Sequence, residues 1–299
     1  IVYHFEVPND IEVEIFDLNF KTPLVGSSFK SDENIISIWL EMGIGGAILK
    51  TIMKDERYGN KSPRLQDTFI DGKKGLINAL GLPGDGIINY ANKLKNTKIW
   101  DFDRPVGLSI GDNNVNEYIS NIKYINSIIS SKNKEYFYEL NISCPNTQNG
   151  TTLGENPSEL ENMLEELRKF INVPFSVKVS PDWSNETLYT IGEICRDNEK
   201  ILINAGNTQF KTTQEVNLNS YDLTTKGGGL SGDSIFYRTL EMVKLFSKFK
   251  IPIIATGGIS NANQIDLLKK EGANLFGMAT SLIMNPYCIP KLNSTFKSV

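Results

Sequence analysis

Short apolar runs that break off in polar residues recur along this chain, and a helical stripe follows most of them. The runs cover residues 23–28, 46–50, 105–111, 136–143, 175–180, 201–207, 251–258 and 275–281. Near-continuous apolar strands alternating with helices predict a parallel sheet buried on both faces. Helices are expected at 33–42, 115–130, 158–170, 186–197, 234–249 and 262–271. In the third of these, Leu160, Met163, Leu164 and Leu167 form an i, i+3, i+4, i+7 stripe. Pro157 and Ser158 stand at its start, with Glu161 in the capping-box position relative to Ser158. Eight strand–helix units predict an α/β chain closed as a (β/α)8 TIM barrel, with an open doubly wound sheet as the rival. Its 299 residues suit one domain spanning 1–299. Residues 2–20 alternate loosely and predict an N-terminal hairpin. Two connections, 51–104 and 208–232, are too long for simple βα loops. They are expected at the C-terminal face of the strands, as lids or pocket walls.

A barrel does its chemistry at the C-terminal ends of its strands. Here those ends carry Ser27 and Ser28, Lys50, Ser109, Asn141, Lys178, Asn204 with Asn207, Gly257 and Gly258, and Thr280 and Ser281. A purely structural barrel has no need of polar groups at nearly every end. Gly227–Gly232 precedes a helix, while Thr256-Gly257-Gly258 and Ala279-Thr280-Ser281 close the seventh and eighth runs. Glycine lets backbone N–H groups approach an anion, and the loops after strands seven and eight are where barrels hold phosphate. Lys50 and Lys178 should reach the barrel mouth, where an ammonium needs an anion or an electron-rich ring. The alternative for Lys178 is neutralisation of Asp182. Flavin mononucleotide, FMN, would satisfy the glycines and one lysine together.

The fourth run ends in Glu139-Leu140-Asn141-Ile142-Ser143-Cys144-Pro145-Asn146. Two carboxamides bracket a thiol, and the proline turns the chain out of strand geometry. Amides donate and accept at once, which suits a flat heterocycle. The thiol is a base or nucleophile if its surroundings favour the thiolate. A buried structural cysteine is the plainer reading of a lone Cys; the polar flanks weigh against it.

Hydrophobic residues make up 40% of the chain, enough for a large core, and the formal net charge is −4. That charge argues against a general nucleic-acid-binding surface. Cys144, Cys195 and Cys288 are far apart and make neither metal-ligand spacing nor a disulfide framework, so a reducing, cytoplasmic setting is expected. No apolar run approaches the length of a membrane span, and neither a signal peptide nor a membrane anchor is expected.

Taken together, these motifs resemble the dihydroorotate dehydrogenase family, most nearly its soluble class 1 group, over residues 22–286. The likeness is carried by Ile77-Asn78-Ala79-Leu80-Gly81-Leu82-Pro83, Asn141 to Asn146, Val177-Lys178-Val179, Gly228 to Gly232 and Thr256-Gly257-Gly258, in family order. It implies an FMN-binding TIM barrel that oxidises dihydroorotate to orotate in pyrimidine biosynthesis. Cys144 would be the general base at C5, with hydride passing from C6 to flavin N5. Asn78, Asn141 and Asn146 match the amides that hold the pyrimidine, with Leu80, Gly81 and Leu82 beside them. Lys50 matches a lysine beside flavin and substrate, and Lys178 the lysine near flavin N1/O2. Ser27, Ser28, Asn141, Gly228, Gly229, Gly257, Gly258, Thr280 and Ser281 match the flavin cradle. One departure stands out: the family has Asn followed by Ser or Thr at the end of strand six, but here Asn204 is followed by Ala205. Local spacing favours Asn204 and Ala205 as the substrate contact, with Asn207 and Thr208 as the alternative. If the hydroxyl is absent, a related dihydropyrimidine becomes the competing substrate. A tRNA dihydrouridine synthase also has Asn-x-x-Cys-Pro, but carries a basic RNA-binding extension unlike this acidic chain. A phosphate-binding barrel with no redox role is a third reading. The resemblance further implies a homodimer. It leaves the electron acceptor open among fumarate, a quinone and a partner subunit carrying FAD and an iron–sulfur cluster.

Overall fold

Eight parallel strands close into a barrel in the computed structural model, which describes residues 3–129, 134–143 and 153–296. In chain order the strands are Leu24–Gly26, Gly46–Ile52, Val106–Ile110, Tyr136–Asn141, Phe175–Lys178, Ile201–Ala205, Ile253–Thr256 and Leu275–Met278. Each pairs with its neighbours in sequence, and the eighth pairs with the first, so the closed barrel replaces the open-sheet rival. Seven of them fall within the apolar runs, and the second continues two residues past its run, to Ile52. Helices Glu33–Glu41, Val115–Ile129, Pro157–Arg168, Asn185–Arg196, Phe236–Phe246 and Ala262–Lys270 follow the expected stripes.

Helix Gly86–Asn96 was not among the expected six, although Ile87, Tyr90, Ala91 and Leu94 carry the same i, i+3, i+4, i+7 pattern and are buried. The capping box at Ser158 is corrected. Pro157 occupies the first helical turn, which makes Asn156 the N-cap, and the Ser158 hydroxyl donates to Asn156 Oδ1 instead. A proline fixes its own φ near the helical value and disfavours helical geometry in the residue before it, so the helix begins at the proline.

Side chains alternate across each strand, and the lumen changes character within one layer. Val25, Ile48, Phe137, Leu202, Ile254 and Leu275 form a buried cluster with Ile15, Leu18 and Phe20. Those last three come from the hairpin Val13–Ile15 with Leu18–Phe20, which plugs that end of the barrel. Two residues further along the same strands stand Ser27, Lys50, Glu139, Asn204, Thr256 and Gly277, joined by Ser109 and Lys178. The apolar floor therefore ends where the polar layer begins. The outer faces of the strands pack against the helices in a second, larger cluster.

Both long connections contribute to one accessory sheet at the mouth. Its order is Gln209–Thr212, Gly227–Gly232, Lys73–Asn78, Leu65–Ile70, all antiparallel. Beneath it Ile77, Val216, Leu223, Leu230 and Ile235 form a separate small core. The excursions are thus ordered walls that brace each other. Among the described residues, no helix is long and apolar enough to cross a membrane.

Candidate active site

The accessory sheet and the C-terminal strand ends enclose a cavity of about 1430 Å³. Its walls bring together Ser27, Ser28, Lys50, Asn78, Leu80, Gly81, Leu82, Asn141, Lys178, Gly228, Gly229, Gly257, Gly258, Thr280 and Ser281. Cys144 and Asn146 lie outside the described residues. Asn204 and Ala205, expected to contact substrate, are absent from the cavity wall. Both are fully buried on the sixth strand, and the Asn204 amide donates to Glu139 Oε2 at 2.7 Å. Asn207 and Thr208, past the end of that strand, line the wall instead.

Glu139 is the polar residue that sequence reasoning passed over. It is fully buried in the lumen, accepting from Ser109 Oγ at 2.7 Å and from Asn204. Lys178 Nζ stands 3.9 Å from Glu139 Oε1 and donates to Ser28 Oγ at 2.9 Å. A buried carboxylate without such partners would be costly. The alternative counter-ion, Asp182, is engaged elsewhere: its two oxygens accept the Phe210 N–H, at 3.2 and 3.0 Å. Period-2 counting from Phe137 was the available signal for Glu139, because it sets residue 139 facing inward one layer above the floor.

The fit to a phosphorylated ring cofactor rests on groups that lack partners. Ser27 Oγ and Thr256 Oγ1 are buried on the cavity wall with no hydrogen bond among the described residues. Gly277 lies between them, where a Cβ would come within 2.0 Å of Thr256 Oγ1 and 2.9 Å of Ser27 Oγ. Gly257 and Gly258 have φ of 137° and 72°, a region glycine enters freely. The Thr280 and Ser281 hydroxyls bond within the protein, to Ser231 Oγ and the Ile259 carbonyl. Gly228 and Gly229, expected in the flavin cradle, line the cavity from a strand of the accessory sheet. A Cβ there would meet Asn78 O at 2.4 Å and Thr208 Oγ1 at 2.1 Å, so close strand packing explains both.

Lys50 sits beside the accessory wall, its ammonium donating to the Pro83 carbonyl. Burial, reinforced by the positive charges of Arg64 and Lys30, lowers its pKa from 10.5 to about 8. Asn78 reaches across the sheet and donates to Gly229 O at 3.1 Å.

The model of the dihydroorotate dehydrogenase family matches residues 10–299. The chain belongs to the dihydroorotate dehydrogenase family. It is 27% identical over 284 residues to a protein of Malacoplasma penetrans named dihydroorotate dehydrogenase B (NAD(+)), catalytic subunit, covering 93% of this chain and 89% of that one. A Bacillus pumilus protein of the same name is 28% identical over 290 residues, covering 94% and 89%. An Aquifex aeolicus protein named putative dihydroorotate dehydrogenase A (fumarate) is 29% identical over 283 residues, covering 93% and 89%. The crystal structure of the Eimeria tenella dihydroorotate dehydrogenase in complex with ferulenol superposes with a TM-score of 0.79 at 20% identity, covering 98% of this chain and 86% of that one. At that identity the superposition speaks for the shared barrel. Dihydroorotate dehydrogenases are flavin-dependent, which agrees with the polar cradle and sets aside the non-redox barrel.

Proposed function

We propose that this chain oxidises dihydroorotate to orotate with FMN held at the barrel mouth. The observation that carries the reading is the convergence of the family motifs, from five separate stretches of chain, on one cavity whose walls hold unpartnered hydroxyls together with Lys50 and Lys178. Ser27, Ser28, Lys178, Gly257, Gly258, Thr280 and Ser281 would hold the cofactor, its single phosphate at the last four. Bound there, flavin supplies a ring that takes up the hydride of C6. The chain's own residues do the rest. Asn78 and Asn141 bind the planar pyrimidine, with Asn146 from the segment outside the described residues and Asn207 as the amide from the sixth strand's loop. Lys50 meets the substrate carboxylate. Cys144, as thiolate, removes the C5 proton.

Anaerobic titration with dihydroorotate is the direct test. Bleaching of the flavin with stoichiometric orotate formation is expected; purified protein without flavin absorption, or flavin that dihydroorotate leaves oxidised, overturns the proposal. The relatives named as catalytic subunits point to a companion subunit as electron acceptor, and the one named for fumarate to the competing route. Reoxidation of the bleached enzyme by fumarate alone would decide for the second.

Lys50 gives this reading a pH signature. Only the ammonium attracts a carboxylate, and in the free protein it is lost as pH rises through about 8. Orotate affinity is expected to fall across that range, and Lys50→Ala to bind weakly with a flattened profile. The stability effect has the opposite sense. The folded pKa lies below the unfolded one, so the unfolded chain binds more protons between about 8 and 10.5, and this group's contribution to stability rises with pH there.

A further inference from the structure

A one-way hydrogen-bond chain runs from the cavity wall down to Glu139. Asn207 Nδ2 donates to Ser143 Oγ at 2.6 Å, and Ser143 Oγ donates to Asn141 Oδ1 at 2.8 Å. Asn141 Nδ2 donates to Thr51 Oγ1 at 3.0 Å, Thr51 Oγ1 and Ser109 Oγ lie 2.8 Å apart, and Ser109 Oγ donates to Glu139 Oε1. The direction follows from the acid at the bottom. A carboxylate only accepts, so the single Ser109 hydroxyl proton goes to Glu139. Towards Thr51, Ser109 can then only accept, so the Thr51 proton goes to Ser109. Towards Asn141, Thr51 in turn can only accept. The Asn141 carboxamide therefore has one orientation, with its nitrogen towards the barrel wall and its oxygen towards Ser143 on the cavity side.

The backbone is shaped to supply this link. The second strand pairs Leu49 with Leu108 but Ile52 with Ile110, one residue too many, and the bulge brings Thr51 to Ser109 and Asn141. Thr51, Ser109, Glu139 and Asn141 are all buried, which limits the competition of water for these bonds.

We propose that Glu139, through Ser109 and Thr51, is the positioning residue that fixes Asn141 with an oxygen lone pair towards the cavity, so that the site selects a ring N–H at that point. The inference rests on the functional reading above. It assigns the orientation to Glu139, which itself is absent from the cavity wall.

The test is orotate binding, followed by perturbation of the flavin absorption, in Ser109→Ala, Thr51→Val and Thr51→Ser. Ser109 is absent from the cavity wall and makes no described contact with Asn141, so an effect of its loss has to travel along the chain. Ser109→Ala and Thr51→Val are expected to keep flavin content and a cooperative melt while orotate Kd rises about tenfold, the worth of one well-placed hydrogen bond. Thr51→Ser, which restores the hydroxyl, is expected to stay within about threefold of the parent protein. Ser109→Ala binding orotate as tightly as the parent overturns the proposal, as does Thr51→Ser weakening it as much as Thr51→Val. A parent protein that carries flavin but gives no response to orotate instead overturns the functional reading.

Discussion

Cys144→Ala is expected to keep flavin bound and to slow its reduction by dihydroorotate about 10²- to 10⁴-fold, the usual worth of a positioned general base. Anaerobic single-turnover kinetics reads this step apart from reoxidation. The thiol follows directly on Ser143, which accepts from Asn207 and donates to Asn141 and is thereby held in place. The other two thiols make poor substitutes. Cys195 is fully buried on the inner face of helix Asn185–Arg196, and burial pushes its thiol far above the ordinary range. Cys288 lies on the cavity wall, but burial raises its pKa to about 11, which leaves little thiolate near neutral pH. Cys144→Ser is expected to fall between the parent and the alanine variant, since a hydroxyl keeps the geometry but ionises far less readily. Reduction at close to the parent rate in Cys144→Ala would remove the base assignment.

The barrel was legible because each strand is a continuous apolar run, a signal that survives without knowledge of its neighbours. Most of the cavity wall was legible for a related reason: the runs end in polar residues, and in a barrel strand ends share one face. Three things were not. Asn204 looked like a site residue because it ends a run. In fact its side chain is fully buried and its amide is spent on Glu139, while Gly206 leads on to Asn207 at the wall. Glu139 looked like part of a motif rather than a hub, because its partners Ser109, Asn204 and Lys178 come from three other strands and only the register aligns them. Thr51 was assigned to the start of a long insertion, since a bulge is set by pairing and leaves no periodic trace. The glycines of Gly227–Gly232 line the cavity and also form a strand of the accessory sheet. A phosphate loop and a tightly packed strand make the same demand, a missing Cβ, and only the neighbours tell them apart.

Lys178→Ala should show two separable losses. The first is structural: the ammonium beside Glu139 goes, and a fully buried carboxylate keeps only two neutral donors, Ser109 and Asn204. Removing one partner of a buried pair typically costs 3–5 kcal/mol, and at 3.9 Å the lower end, about 3 kcal/mol, is expected in thermal or urea melts. The second is functional: a cation aimed at charge that builds up on reduction is worth about 10²- to 10³-fold in rate, so flavin reduction should slow by that factor. The double variant Lys178→Ala/Glu139→Gln separates the two. It removes the stranded charge, so most of the stability should return, while the reduction rate should stay low because no cation is restored. If rate and stability recover together, Lys178 serves only to neutralise Glu139. If Lys178→Ala melts like the parent, Glu139 does not depend on it, and the two remaining donors, Ser109 and Asn204, suffice to hold that charge in the lumen.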